Sequence, residues 1–120
     1  MAARAVRGPD PVQVDLLDRV RAALAGRELR EVAMFGGRAV MVDGAMLVSV
    51  GRGGDLLVRI DPARHDELVA RPGAGPAVMG TDRPMGPGWI TVSADALDEE
   101  ADLAFWLGVA AEHHARLGRG

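Results

Sequence analysis

Cysteine is absent from all 120 residues, which removes disulfides, thiolate nucleophiles and cysteine-based zinc or iron–sulfur centres. Lysine is absent too, so the 14 basic residues are all arginine. That excludes a Walker lysine, a Schiff-base lysine and a Ser-Lys dyad. Tyrosine and asparagine are also missing, which thins the supply of acid–base groups and oxyanion donors. The aromatics are two Phe and two Trp (Phe35, Trp89, Phe105, Trp106), too few for a base-stacking platform. The net charge is −3 and the arginines are scattered, so no segment offers the concentrated basic face that counterion release requires. Direct nucleic-acid binding is therefore disfavoured. No apolar run approaches bilayer length, and residues 1–10 lack the long apolar region of a secretion signal. The expectation is a cytoplasmic protein without membrane attachment.

What is present is globular. Hydrophobic residues make up 48% and charged residues 26% of the chain, an ordinary composition for one packed domain. Residues 1–10 read as a flexible tail and residues 11–120 as a single domain.

Asp10-Pro11-Val12-Gln13 has the pattern of a helix start, with Asp10 as cap, Pro11 at the first position and Gln13 closing a capping box. Leu16, Leu17, Val20 and Leu24 follow at helical spacing until Gly26, with Asp15 and Arg19 as an i,i+4 pair. Strands are expected at Leu29–Met34, Arg38–Val42, Ala45–Val50 and Leu56–Ile60. Asp43-Gly44 suits a two-residue turn with positive φ at both positions. Asp61-Pro62 caps a short helix, two Gly/Pro-rich segments flank Ala77–Met79, and Trp89–Val92 is a last strand. Ser93 or Asp98 starts a final helix whose stripe is Leu103, Trp106, Leu107, Ala110, His114 and Leu117, with Phe105 and Val109 off it. The order is helix, four-strand meander, helix, two strands, helix: an α+β, two-layer fold with an antiparallel sheet and its helices on one face.

A two-residue hairpin loop fixes register, so Val42 opposes Ala45, Met41 opposes Met46, Val40 opposes Leu47 and Ala39 opposes Val48. One face then carries Ala39, Met41, Met46, Val48, Val50, Leu56, Val58 and Ile60 as the core side. The other carries Val40, Val42, Leu47 and Leu57 among Arg38, Ser49 and Arg59. An apolar centre edged by arginines has the composition of an interface, and a homodimer is the leading form of that reading. The competing reading is that the long final helix or a loop covers this face.

Chemistry has few places to reside. His113 and His114 point about 100° apart on a helix and cannot readily share a metal, and no His/Asp/Glu set surrounds them or His65. Ser49 lies mid-strand without a nucleophile elbow, and Ser93 is accounted for as a helix cap. Asp95, Asp98, Glu99, Glu100 and Asp102 sit at a helix start, where acids complement the dipole. The glycines around Gly73–Gly80 lack the spacing of a dinucleotide fingerprint. Arg59 interrupts an apolar strand and Arg83 lies in a long Gly/Pro loop; either could grip an anion or anchor a loop.

Met34-Phe35-Gly36-Gly37, the hairpin Val40-Met41-Val42-Asp43-Gly44-Ala45-Met46 and Asp55-Leu56-Leu57-Val58-Arg59-Ile60 together resemble the N-terminal domain of the TfoX/Sxy family. Ala70-Arg71-Pro72-Gly73, Arg83-Pro84-Met85 and Asp102-Leu103-Ala104-Phe105-Trp106-Leu107 extend the resemblance across roughly Leu16 to Leu117, as in a freestanding single-domain member. It implies a secretion-chaperone-like α+β fold and a non-enzymatic regulatory role without a cofactor. The fuller regulators of that family promote expression of DNA-uptake genes with a partner transcription factor. The expected module binds a protein, such as a component of the transcription machinery, and forms a homo-oligomer, most simply a dimer. Its expected surface comprises Arg38, Val40, Val42, Leu47, Leu57, Arg59, Arg83 and Met85. The alternative is a small anionic-ligand binder or minor enzyme using Arg59 and Arg83.

Overall fold

The structure, a computed structural model, describes residues 11–34, 37–79 and 83–119; the expected tail and the cap assigned to Asp10 lie outside the described residues. Helix α1 (Pro11–Ala23) buries Leu16, Leu17 and Val20, and Gly26 leaves it in the left-handed region at φ 97°. Strands β1 (Leu29–Met34), β2 (Gly37–Val42), β3 (Ala45–Val50) and β4 (Leu56–Arg59) form the expected meander. Asp43 and Gly44 both take positive φ, 54° and 82°, as the tight β2–β3 turn demands.

After β4, Asp61 accepts a hydrogen bond from the Ala63 amide at 2.9 Å and starts a 3-10 turn that runs into the short helix α2 (His65–Val69). Four short strands follow where two were expected. They are β5 (Ala74–Pro76), β6 (Val78–Met79), β7 (Arg83–Pro84) and β8 (Trp89–Val92). The six-stranded antiparallel sheet has the order β1-β2-β3-β4-β8-β5, and β6 and β7 pair as a separate small hairpin. A 3-10 turn at Ala94–Leu97 precedes the long helix α3 (Glu100–Arg119). Ser93 opens that turn through its carbonyl, which accepts from the Ala96 amide, and its hydroxyl makes no cap.

Three helices and one face of the sheet share a single core. Leu16, Leu17, Val20, Leu68, Leu103, Trp106, Leu107, Val109 and Ala110 pack with Val40, Val42, Leu47, Val48, Val50, Leu56, Val58, Ile60, Ile90 and Val92. Val109 is buried and Phe105 half-buried, so α3 does bury more than the narrow stripe, whereas Leu117 at the end of that stripe is 46% exposed.

The arrangement departs from the expected faces for one reason. A β-bulge shifts the β2–β3 register between Val40 and Met41, so Val40 opposes Val48 and Ala39 opposes Ser49. The extra residue is Leu47, and both Leu47 and Val48 turn inward. Val40, Val42 and Leu47, expected on an open surface, are 0%, 4% and 1% exposed beneath the helices. Ala39, Met41 and Met46, expected in the core, occupy the opposite face.

Two side chains expected to act locally act at long range instead. Gln13 donates its side-chain amide to the Val50 carbonyl at 2.9 Å, pinning α1 to β3. Arg19 bypasses Asp15, donating to the Leu97 carbonyl at 2.7 Å and to Glu100 at 3.0 Å, which ties α1 to the start of α3.

Candidate interaction surface

The pairing of the six strands places a row of residues straight across the second face: Val32, Ala39, Ser49, Leu57, Thr91 and Gly75. Small residues form most of this floor. Beside it stand Arg30, Met41 and Met46, paired across β1, β2 and β3, and Arg59, paired with Trp89 across β4 and β8. None of the second-face residues belongs to the core cluster to which all three helices contribute. Ala39 and Ser49 are buried, while Met41, Met46, Leu57, Arg59, Trp89 and Thr91 are half-buried.

Gly37 explains its own place in the quoted motif. A Cβ there would lie 2.9 Å from the Val50 carbonyl oxygen and 3.1 Å from the Ser49 hydroxyl, so only glycine lets β2 and β3 close at this end. Phe35 and Gly36 of the same motif lie outside the described residues.

Arg59 lies over the ring of its cross-strand partner Trp89 at 5.9 Å, a cation–π contact, and its charge also reaches His113 of α3. Of the remaining expected surface residues, Leu57 shares the second face. Arg38 opposes Val50 at the exposed end of the sheet, and Met85 donates its amide to the Ala77 carbonyl beside the small hairpin. Arg83 pairs with Met79 through the backbone of that hairpin. The structure thus keeps Leu57 and Arg59 together, adds Met41, Met46 and Trp89, and withdraws Val40, Val42 and Leu47. The bulge that causes this carries only a faint sequence signal, the unbroken apolar run Met46-Leu47-Val48, in which alternation fails.

Several other charged groups join elements. Arg21 makes a bidentate pair with Glu31 at 2.5 and 2.6 Å, Arg64 reaches Glu112 at 3.3 Å, and Arg116 reaches Asp61 at 3.0 Å. The Arg21 guanidinium holds the Glu31 carboxyl below its ordinary value. His114 meets Asp43 at 3.3 Å, and His113, its Nδ1 buried without a hydrogen-bond partner, has its pKa lowered chiefly by desolvation. Among the described residues, no three His, Cys, Asp or Glu side chains gather to hold a metal ion. No helix among them is long and apolar enough to cross a membrane.

The family model of the TfoX N-terminal domain matches residues 22–114, from within α1 to within α3, and so takes in the whole sheet. Neither a curated protein nor a solved structure matches the chain. With the sheet, the bulged hairpin and the Gly37 contact all inside the matched span, the chain belongs to the TfoX N-terminal domain family.

Proposed function

We propose that this chain is a non-enzymatic regulatory module whose second sheet face receives a protein partner. The observation that carries the reading is the face outside the core cluster that all three helices join, on which Met41, Met46, Leu57 and Trp89 stand beside Arg59. Met, Trp and Arg are the residue types enriched where proteins meet, because they supply large adaptable contact area around an oriented charge. Ion pairs tie α1 to β1 and to α3, and the turn before α2 to α3, which fixes the helices over the opposite face of the sheet. The resemblance to competence regulators makes a component of the transcription machinery the first partner to seek.

The test is affinity capture from the native host with the whole chain and with a Met46→Glu/Leu57→Asp variant. The expected result is a protein that survives nuclease treatment, binds the native chain and is lost with the variant, while the variant keeps its helical circular dichroism. Capture that disappears with nuclease, or that the variant leaves intact, contradicts the reading. A second reading uses Arg59, oriented over Trp89, to grip a small anion. It requires an anionic metabolite to raise the melting temperature of the native chain and Arg59→Ala to abolish that rise.

A further inference from the structure

The two edges of the sheet differ. β5 is three residues long, ends on Pro76, which has no N–H to donate, and packs against α2. β1 is six residues long, pairs with β2 at every position without a shift, and contains neither proline nor glycine. Among the described residues no strand pairs with its outer side. Such an edge presents a row of unpaired backbone donors and acceptors, and charge is the usual remaining guard. Here that guard is partly withdrawn, because Glu31 is turned to the helix side and held there by Arg21.

We propose that β1 pairs antiparallel with β1 of a second copy about a two-fold axis normal to the sheet, with Val32 opposite its partner's Val32. Such an axis keeps each face continuous, so opposed residues must have the same alternation. Only the registers centred on Glu31 and on Val32 overlap five of the six strand residues (29–33 and 30–34). Centring on Glu31 sets two like charges directly opposite, which is unfavourable. Centring on Val32 sets two β-branched residues together on the second face, Glu31 opposite Ala33 and Arg30 opposite Met34, with no like charges opposed. The partner is therefore a copy of this chain, joined at the strand edge. This inference stands or falls separately from partner binding on the second face.

The absence of cysteine makes the register directly readable. In a directly opposed antiparallel pair the Cα atoms lie about 4.5 to 5.5 Å apart, inside the span a disulfide bridges. The native chain is expected to sediment at twice its 12.6 kDa mass. Val32→Lys should sediment as a monomer and Val32→Thr as a dimer. Under mild oxidation Val32→Cys should cross-link to completion, whereas Arg30→Cys should not, and a mixture of Glu31→Cys with Ala33→Cys should link to each other. Three results overturn the proposal: a native chain monomeric at every concentration, a Val32→Lys variant that remains dimeric, or Arg30→Cys cross-linking as fast as Val32→Cys. If Val32→Lys does not fold, the cysteine series decides alone.

Discussion

At the scale of single residues, the steepest contrast is between Leu47 and Leu57. Leu47 is 1% exposed in the core, so Leu47→Ala should cost about 2–5 kcal/mol in chemical denaturation. Leu57 is half-buried on the second face, and Leu57→Ser should cost about 1 kcal/mol or less. Equal costs would mean the two faces are assigned the wrong way round. His113 supplies a pH signature. Its folded pKa lies below the ordinary value of 6.5, so the unfolded chain binds the proton more readily. The contribution of the neutral ring is complete above about pH 6.5 and declines as pH falls through the lowered folded pKa. Melting temperature should therefore drop on acidification below neutrality, and the slope across that window should flatten in His113→Phe. Glu31 acts in the same direction further down: its contribution is present above its ordinary value of 4.5 and lost as pH falls through the lowered folded pKa.

Elements depend on a few junctions that join them. Asp61 both caps the turn into α2 and receives Arg116 from α3, so Asp61→Ala removes a cap and an inter-element ion pair together. A loss of about 1–2 kcal/mol is expected, and Asp61→Asn, which keeps the acceptor, should recover most of it. Gly73 is a second junction. It sits at φ 79°, its carbonyl accepts from the Ser93 amide at 2.9 Å, and a Cβ there would collide with Ala96. Gly73→Ala should therefore lower the melting temperature by several degrees through strain and crowding at once. Most elements are legible in the sequence, because local chemistry specifies them: Gly26 after the first helix, Asp43-Gly44 between strands, Asp61-Pro62 before α2. Of the candidate surface only Leu57 and Arg59 are legible. Its residues depend on which way each strand faces, and the bulge at Leu47 reverses that beyond the second pair from the turn. Gln13 and Arg19 escaped for a related reason, since their partners, Val50 and Glu100, are remote in the chain and proximity alone suggested nearer ones. The short strands at Ala74–Pro76 and Arg83–Pro84 carry proline, which argues against a strand wherever the sheet continues on both sides.

For the whole molecule, the helices pack on one side of the sheet and the proposed partner surface lies on the other, so variants on the two sides should separate cleanly. Val40→Asp should abolish folding and with it every interaction, while Met46→Glu/Leu57→Asp should keep the fold and lose only capture of the partner. A shared phenotype for both would remove the distinction on which the proposed role depends. The unlike margins of the sheet have a further consequence for how far assembly can proceed. A fibre needs every added unit to offer a fresh acceptor strand, and a terminus shortened to Ala74–Pro76 and closed by a proline offers none. Joining through the longer margin consumes it in both participants, so growth by strand addition halts at a closed pair.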